Sequence, residues 1–421
     1  MNSIKLTRIM KDNFNLRYDF SVSNNLKKYF TDTPFVIEYP EDISKIPDSI
    51  LAIPFVCNVL PIIWLTDTTL YLEEIDKSFY ESIPEFKKGY VNMYPNVEFK
   101  GDIKTHRVIE NTFTDSRKVA MFYSGGLDSA STLVSHLDEK PVLLSIWGSD
   151  VKYNNETGWN LVHSAITEAA DNFGLQEFVF RSTFREFDNE YRLESEFAKV
   201  LGDGWWHGIK HSLALLGHIA PFVFAHKIHR MYIASTLCKN YGFATCASVP
   251  QIDNCFKVSS CNVVHDGYEL SRQQKAKNLI THLDGSGFKL HVCWANQSGN
   301  NCCACEKCYR TMANIWAEGA SIRKFGFDYN KRELINMPIC ISNLPHEARM
   351  QMYWWKDIQI SAKNNETILK RDSEYKYFKW IISADFDHPE TIKTPISYRL
   401  KKKLSMLSIY KVLQKLRYNK G

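Results

Sequence analysis

Residues 124–129 read Ser-Gly-Gly-Leu-Asp-Ser, and they come directly after an apolar run from Lys118 to Tyr123. An apolar run of this length is typical of a buried strand. The two glycines permit a tight loop with positive φ, and a helix-like stretch follows Asp128. Because such a loop and a helix N-terminus direct several backbone N–H groups at one point, the pattern predicts a phosphate site. The alternative is an ordinary glycine turn before a helix.

Five of the eleven cysteines fall in one short segment. One is Cys303, and the other four have the spacing C-x8-C-x2-C-x2-C: Cys293, Cys302, Cys305 and Cys308. Thiolates two residues apart can bind one ion from a tight turn, and four of them satisfy tetrahedral Zn²⁺ with no open position. The spacing therefore predicts a structural zinc site that contributes to folding. Buried or redox-active thiols and an iron–sulfur cluster are the alternatives.

The loop is neither GxxxxGK[ST] nor GxGxxG. It resembles the pyrophosphate loop of the N-type ATP pyrophosphatases, the adenine nucleotide alpha-hydrolase family. In that family the loop holds the β,γ-pyrophosphate of ATP, the enzyme cleaves between the α- and β-phosphates, and the aspartate helps to place Mg²⁺. The resemblance implies catalytic roles for Asp128 and Ser129, and nucleotide-binding roles for the whole loop: Ser124, Gly125, Gly126, Leu127, Asp128 and Ser129.

Taken together, the loop and the cysteine spacing resemble the 7-cyano-7-deazaguanine synthases, the QueC family. A structural zinc lies on the same cysteine spacing in that family, so the resemblance implies zinc-ligand roles for the four spaced cysteines. It also implies a reaction in which a carboxylate attacks the α-phosphorus of ATP, pyrophosphate leaves, and a nitrogen nucleophile displaces AMP. In the synthases the acid is 7-carboxy-7-deazaguanine and the nitrogen comes from ammonia.

The resemblance covers roughly residues 117–320, and the flanking regions have no counterpart in a minimal synthase. QueC-like proteins are associated with antiphage systems and polysaccharide gene neighbourhoods. We therefore expect a larger target, such as a protein, a peptide or a surface-sugar acid. The alternatives are a plain deazaguanine synthase, an ATP-binding protein without enzymatic activity, and a sulfur-inserting enzyme that uses a cysteine outside the zinc set: Cys238, Cys246, Cys255 or Cys261.

Strand-like and helix-like segments alternate around the loop, which is typical of a parallel sheet covered on both faces. We predict an α/β fold: a HUP-type, Rossmann-like ATP pyrophosphatase domain with a zinc knuckle. The predicted strands cover residues 118–123, 141–147, 177–180 and 229–234, and the predicted helices 130–137, 156–173, 192–201, 205–216, 270–282 and 306–318. Because ligands bind at the carboxyl ends of such strands, Trp147, Gly148 and Asp150 are expected near adenosine. For Asp150, a simple loop or cap residue is the alternative.

Four further residues are weaker candidates for a substrate site. His207 and His211 lie at i and i+4, so they share a helix face. We expect these histidines either to contact substrate or to pack as ordinary helix residues. A metal site is a third alternative, but it would lack the glutamate of the HExxH motif. Arg272 could hold an anionic group, and a surface position or an ion pair is the alternative. Asp253 corresponds, with an offset, to an aspartate that contacts substrate in the resembled family.

The sequence predicts four regions, which cover residues 1–115, 116–325, 326–395 and 396–421. The first region is predicted to be a small β or α+β domain that binds a partner or only packs, because it contains short β-like runs: 35–39, 50–55, 60–65 and 69–72. The third region is an extension without a motif. The fourth is a basic amphipathic tail that could contact an anionic membrane surface or an acidic partner, or form a solvated helix.

The chain has 421 residues, 44% hydrophobic content and a formal net charge of +5. Residues 396–421 contain eight basic and no acidic residues, so the rest carries −3 and shows no nucleic-acid signal. The start of the chain lacks the apolar core of a signal peptide, and the apolar region 212–225 is too short to span a membrane. We therefore expect a cytoplasmic protein whose cofactors are ATP, Mg²⁺ and Zn²⁺.

Overall fold

The computed structural model describes residues 2–113, 117–242, 244–283, 287–293, 300–345 and 349–395. The chain divides into two compact units, Met1–Asn300 and Asn301–Gly421. In the described part of the first unit, eleven strands form one sheet: β1 (Asn2–Lys11), β2 (Asn15–Val22), β3 (Phe35–Glu38), β4 (Thr68–Asp76), β5 (Asp102–Ile109), β6 (Val119–Phe122), β7 (Val142–Trp147), β8 (Glu177–Ser182), β9 (Arg230–Ala234), β10 (Lys257–Val258) and β11 (Cys261–Asp266).

The strands lie side by side in the order β10-β11-β9-β6-β7-β8-β3-β2-β1-β4-β5, and most neighbouring pairs are parallel. The predicted α/β class with a mainly parallel sheet is therefore confirmed. From β6 the chain proceeds through β7 to β8 on one side, and then returns to β9 and β11 on the other side. The direction of winding reverses between β6 and β9, which creates the switch point of a doubly wound sheet.

Helices connect these strands: α1 (Asp48–Leu51), α2 (Ile53–Leu65), α3 (Lys77–Met93), α4 (Leu127–Ser135), α5 (Glu156–Phe173), α6 (Glu190–Leu201), α7 (His211–His226), α8 (Pro250–Asp253) and α9 (Arg272–Leu283). The predicted bounds of α5 are confirmed. Its start is capped by the side chain of Asn155, which accepts a hydrogen bond from the N–H of Gly158, and it ends at Gly174 with φ of +62°.

Two predicted strands in the first 115 residues are wrong. The apolar runs 50–55 and 60–65 form parts of α1 and α2, whereas the runs at 35–39 and 69–72 do form β3 and β4. Nearly every residue of α2 is buried. A helix that is apolar all round has no amphipathic period, so its sequence cannot be distinguished from a buried strand by periodicity. Pro54, in the first turn of α2, is compatible with a helix start.

The first 115 residues do not form a compact unit of their own. Strand β3 pairs with β8 through Ile37 and Ser182, so β1–β5 continue the sheet that contains the loop. Helix α2 packs against α7 so closely that a Cβ on Gly217 would lie 2.6 Å from Cys57 Cβ. The expected boundary at residue 115 therefore falls inside a single sheet with a shared core.

Two helical segments are long and apolar enough to cross a membrane: Asp48–Leu65 and Trp206–His226. The second combines α7 with a preceding π-helical turn, Trp206–Lys210. In their most apolar windows, 89% and 78% of the residues are buried inside the protein. Their hydrophobicity is thus accounted for by the core in which they lie.

In its described part, the second unit is helical: α10 (Glu306–Ala317), α11 (Lys331–Ser342), α12 (Arg349–Asn364), α13 (Glu366–Leu369), α14 (Tyr375–Phe378) and α15 (Trp380–Ser383). Aromatic side chains form its core: Trp316 stacks on Phe378 at 4.9 Å, and Trp355 stacks on Phe386 at 5.8 Å. The predicted extension thus belongs to the same compact unit as α10. The predicted basic tail, residues 396–421, lies outside the described residues.

Candidate functional site

The predicted phosphate loop joins β6 to α4, and Gly126 is the N-cap of that helix. Gly125 has φ of +72°, a conformation that favours glycine. Its carbonyl oxygen accepts a hydrogen bond from the N–H of His291 at 2.8 Å. The hydroxyl of Ser129 donates to the carbonyl oxygen of Gly126 at 3.1 Å and accepts from the N–H of Ser124 at 3.4 Å. The loop is thus held in place at the N-terminus of α4, where backbone N–H groups attract anions.

The loop also occupies the switch point of the sheet. It follows the carboxyl end of β6, whose neighbours on the two sides are β7 and β9. In open α/β sheets, ligands bind in the crevice outside the strand ends at this position. The fold therefore places the loop at the edge of the sheet where ligands of such folds bind.

Asp128, in the first turn of α4, is paired with two cations of α9. Arg272 Nη1 donates a hydrogen bond to one carboxylate oxygen of Asp128, and Lys275 Nζ lies 3.8 Å from the other. Both cations are buried, and burial lowers the pKa of Lys275 although Asp128 opposes the shift. Lys275 Nζ also donates to the carbonyl oxygen of Ser235, just after β9. Arg272 was predicted as an anion-binding candidate, but sequence reasoning missed Lys275.

A second carboxylate, Asp266, lies at the carboxyl end of β11 and contacts the same helix α4. Thr132 Oγ1 donates to it at 2.7 Å, and His136 Nε2 lies 3.0 Å from its other oxygen. Burial alone would raise the pKa of Asp266, but its hydrogen bonds with His136 and Thr132 outweigh that effect and lower it. The hydrogen bond with Asp266 raises the pKa of His136. Sequence reasoning missed the pair of His136 and Asp266. The one sequence signal for it is that Asp266 ends a strand-like run.

The residues expected near adenosine lie at the carboxyl end of β7, the neighbour of β6. The Trp147 ring stacks on Trp159 at 5.5 Å, and the guanidinium of Arg181 lies 4.1 Å from the ring centre of Trp147. Gly148 has φ of +113°, and a Cβ there would lie 1.9 Å from a backbone oxygen of β8. Asp150 is exposed. These residues lie at the same edge of the sheet as the loop. The Trp147 ring contacts Trp159 and Arg181 there.

The sulfur atoms of the four spaced cysteines lie within 4.8 Å of one another: Cys293, Cys302, Cys305 and Cys308. The N–H of Cys305 donates to Cys302 Sγ at 3.3 Å, and the N–H of Cys308 donates to Cys305 Sγ at 3.5 Å. Such N–H donors are typical supports of metal-bound thiolates. The fifth thiol, Cys303, instead donates to the carbonyl oxygen of Asn301 at 3.6 Å. The cluster could hold a metal ion such as zinc.

Asp253 is fully buried and serves the protein core. Its carboxylate accepts hydrogen bonds from the hydroxyls of Ser212 and Ser248, the latter at 2.6 Å. His265 Nδ1 donates to the same carboxylate at 2.7 Å. Because these contacts use both oxygens, the geometry supports a structural role for Asp253 between α7, α8 and β11.

His207 and His211 do share a face, at the π-helical turn before α7. Their ring centres lie 6.3 Å apart, and both imidazoles lower the pKa of the Cys246 thiol. The i and i+4 spacing therefore predicted the pair correctly, but its partner, Cys246, lies far along the chain. Lys210, in the same turn, is buried in an ion pair with Asp188 at 2.7 Å.

Protein-family models, curated proteins and solved structures were each compared with this chain, and none matches it. The described residues contribute two separate features. The first is a glycine loop at a helix N-terminus, beside two buried cations at the switch point of the sheet. The second is a cluster of four cysteines with the composition of a structural zinc site.

Proposed function

We propose that this protein is an ATP-dependent adenylating enzyme, similar to the 7-cyano-7-deazaguanine synthases. It converts ATP into AMP and pyrophosphate while it activates a carboxylate for attack by a nitrogen nucleophile. One observation carries the proposal: the Ser-Gly-Gly-Leu-Asp-Ser loop lies at the switch point, with Asp128 paired to the buried Arg272 and Lys275. Cations buried beside a helix N-terminus form a site for a highly charged anion such as pyrophosphate.

The chemistry depends on stabilising the leaving pyrophosphate. Backbone N–H groups of the loop and the α4 terminus would bind its oxygens, and Arg272 and Lys275 would neutralise the charge that develops as the bond to the α-phosphorus breaks. The Asp128 carboxylate offers the oxygen ligand that Mg²⁺ prefers, and a bound Mg²⁺ would add further neutralisation. Positioning and charge neutralisation would supply most of the rate enhancement.

The test is product analysis with ATP labelled at the α-phosphate. The protein is incubated with Mg²⁺, pyrophosphatase, ammonium and either 7-carboxy-7-deazaguanine or a fractionated cell lysate. Asp128→Asn keeps the side-chain shape but removes the charge, and we expect it to lower AMP formation at least about 100-fold. Asp138→Asn, at an exposed aspartate just beyond α4, is the matched control and should retain activity.

The identity of the acceptor follows from the same assay. AMP that forms only with a lysate fraction would support a larger target and provide a means of purifying it. AMP that forms only with 7-carboxy-7-deazaguanine would favour the alternative, a deazaguanine synthase with an enlarged sheet. ADP as the product, or tight ATP binding without turnover, would contradict the adenylation mechanism.

A further inference from the structure

Cys246 lies beside the turn that carries His207 and His211, because the N–H of its neighbour Ala247 donates to the carbonyl oxygen of His207. His207 Nδ1 donates to the carboxylate of Asp203 at 2.9 Å, and His211 Nδ1 lies 3.3 Å from the carbonyl oxygen of Trp206. With both Nδ1 atoms engaged, Nε2 is the nitrogen that each ring keeps for a contact with the thiol, whose pKa both rings lower. A cysteine paired with histidine, and histidine oriented by a carboxylate, is the arrangement of an activated nucleophile.

The backbone on both sides of Cys246 is tied to the same turn. Thr245 Oγ1 donates to Asp203 at 2.7 Å, and the N–H of Ala247 donates to the carbonyl oxygen of His207 at 2.8 Å. The turn Trp206–Lys210 is π-helical, a form that is frequent at functional sites. These contacts hold the thiol and the imidazoles in a fixed arrangement.

The surroundings of the thiol favour its ionised form. Burial alone would raise the pKa of Cys246, but hydrogen bonds from His207 and His211 outweigh burial and lower it to about 6. The hydrogen bond with Asp203 is the largest of several effects that raise the pKa of His207 to about 10. The other titratable groups that act on this cluster are Asp253, Tyr90 and Tyr94.

Cys246 is covered but lies close to the surface. It is 4% exposed, whereas the side chain of His207 is 59% exposed. The segment that carries Cys246 also reaches the proposed nucleotide site, because the Tyr241 hydroxyl accepts a hydrogen bond at 3.4 Å from the N–H of Arg272, the partner of Asp128. The same connection between β9 and β11 thus contributes to both places.

We propose that Cys246 is a nucleophile that takes the activated acyl group as a thioester before the nitrogen nucleophile attacks; this inference rests on the proposed function. The thiolate sulfur attacks the acyl carbon of the acyl adenylate, an S–C bond forms, and the C–O bond breaks as AMP leaves with the electron pair. The amine then forms a C–N bond with the same carbon, the C–S bond breaks, and the thiolate returns. The amine proton passes to solvent, the His207 imidazolium keeps its own proton throughout, and no group is oxidised or reduced.

A metal site is the competing use of one cysteine and two histidines. Among the residues that the structure describes, the four-cysteine cluster is the only group of three or more metal-ligating side chains whose ligand atoms all lie within 4.8 Å of one another. The arrangement around Cys246 therefore favours a nucleophile. The zinc content of the protein distinguishes a nucleophile from a metal site. One zinc ion per chain agrees with the proposal. Two zinc ions per chain in the wild type and one in His207→Gln would overturn it.

The first test uses an activated acyl probe and needs no ATP. Full-length, zinc-loaded protein is mixed with p-nitrophenyl acetate, and we expect a burst of p-nitrophenolate approaching one per chain. Peptide mass spectrometry should place a hydroxylamine-sensitive acetyl group on Cys246. Cys246→Ser should lose the burst, and Cys255→Ser, which removes a more exposed thiol outside the cluster, should keep it. Acetylation of Cys255 without Cys246 would overturn the proposal.

A second variant tests activation while the thiol remains in place. In His207→Gln the thiol pKa should return toward its ordinary range, so acetylation at pH 6.5 should slow roughly fivefold after allowing for the greater reactivity of a more basic thiolate. The order should reverse above about pH 8.5, where both thiols are largely ionised and the more basic thiolate of His207→Gln is the stronger nucleophile. Equal rates for the two proteins at pH 6.5 would overturn the role of His207.

Two variants separate this inference from the adenylation that it follows. Asp128→Asn should lose AMP formation but retain the burst with p-nitrophenyl acetate. Cys246→Ser should still exchange labelled pyrophosphate into ATP, with whichever acid supports AMP formation, while losing the amide product. Full amide synthesis by Cys246→Ser would overturn the thioester step and leave the adenylation proposal intact.

Discussion

The guanidinium of Arg272 hydrogen-bonds the carboxylate of Asp128 across 144 positions of sequence. The two side chains are 2% and 16% exposed, so this contact is made almost entirely away from water. It joins the first turn of α9 to the first turn of α4 and thereby places a cation beside the glycine loop. The same ion pair holds the site together and supplies its charge.

We predict that Arg272→Ala lowers the free energy of unfolding by about 3 kcal/mol, because it leaves a largely buried carboxylate without its main partner. Urea denaturation followed by circular dichroism would measure this. The matched control is Arg17→Ala, which breaks the pair with Asp19 at 3.7 Å, in which both side chains are exposed, and should lower the free energy of unfolding by less than about 1 kcal/mol. Similar losses in the two variants would contradict the importance of burial at Arg272.

The four-cysteine cluster should bind one zinc per chain and stabilise the fold. Cys305→Ser removes one of four thiolates, so zinc content should fall below one, and thermal unfolding should shift to a lower temperature. Metal analysis and calorimetry would measure the two effects. Cys340→Ser, which changes a thiol outside the cluster, should alter neither. A Cys305→Ser protein with full zinc content and unchanged stability would refute the structural site.

The pair of His136 and Asp266 should make stability depend on pH. The raised pKa of His136 adds stability that is present below pH 6.5 and is lost as pH rises through the folded-state value. The lowered pKa of Asp266 adds stability that is present above pH 3.8 and is lost as pH falls. The pair therefore contributes most between these values, and His136→Gln should destabilise the protein more at pH 5.5 than at pH 8.5.

Urea denaturation at pH 5.5 and pH 8.5 would test this dependence. His282→Gln is the control, since His282 is exposed and its Nδ1 bonds only to the backbone of its own helix among the contacts found. It should change stability little at either pH. A difference between wild type and His136→Gln that is the same at both values would contradict the coupling.

Gly148 should tolerate no side chain. In Gly148→Ala the new Cβ would lie 1.9 Å from the carbonyl oxygen of Ser182, and φ is +113°. Gly174→Ala is a matched control, because φ is +62° there and no atom lies within 4 Å of the added Cβ. We expect the control to lose about 1 kcal/mol from backbone strain and Gly148→Ala to lose at least about 3 kcal/mol, measured by urea denaturation. Equal losses would indicate that β7 and β8 separate easily.

Local patterns predicted the elements that present the loop. The apolar run before Ser124, the two glycines and the following polar-to-apolar pattern predicted a strand, a turn and a helix, which are observed as β6, the loop and α4. The clear amphipathic period between Glu156 and Phe173 gave the bounds of α5 correctly. In these cases the deciding physics lies within a few residues of the chain.

Long-range pairing could not be predicted in the same way. The contacts of Lys275 with Asp128, and of Cys246 with His207, depend on which strand ends are neighbours in the sheet. The pairing of β3 with β8 also has no local sequence signal. For this reason the first 115 residues were expected to form a domain separate from the sheet that carries the loop. Runs that are apolar on every side, such as α2, carry no period with which to choose helix over strand.

The pairing of β3 with β8 has a consequence for how this chemistry could be moved between proteins. A chain that began at residue 117 would leave the outer edge of β8 unpaired and uncover the face of α7 on which α2 packs. Open strand edges and large apolar patches cause proteins to self-associate. The part of the sheet that carries the glycine loop is therefore not a transferable module, and fusions or truncations should keep residues 1–300 together.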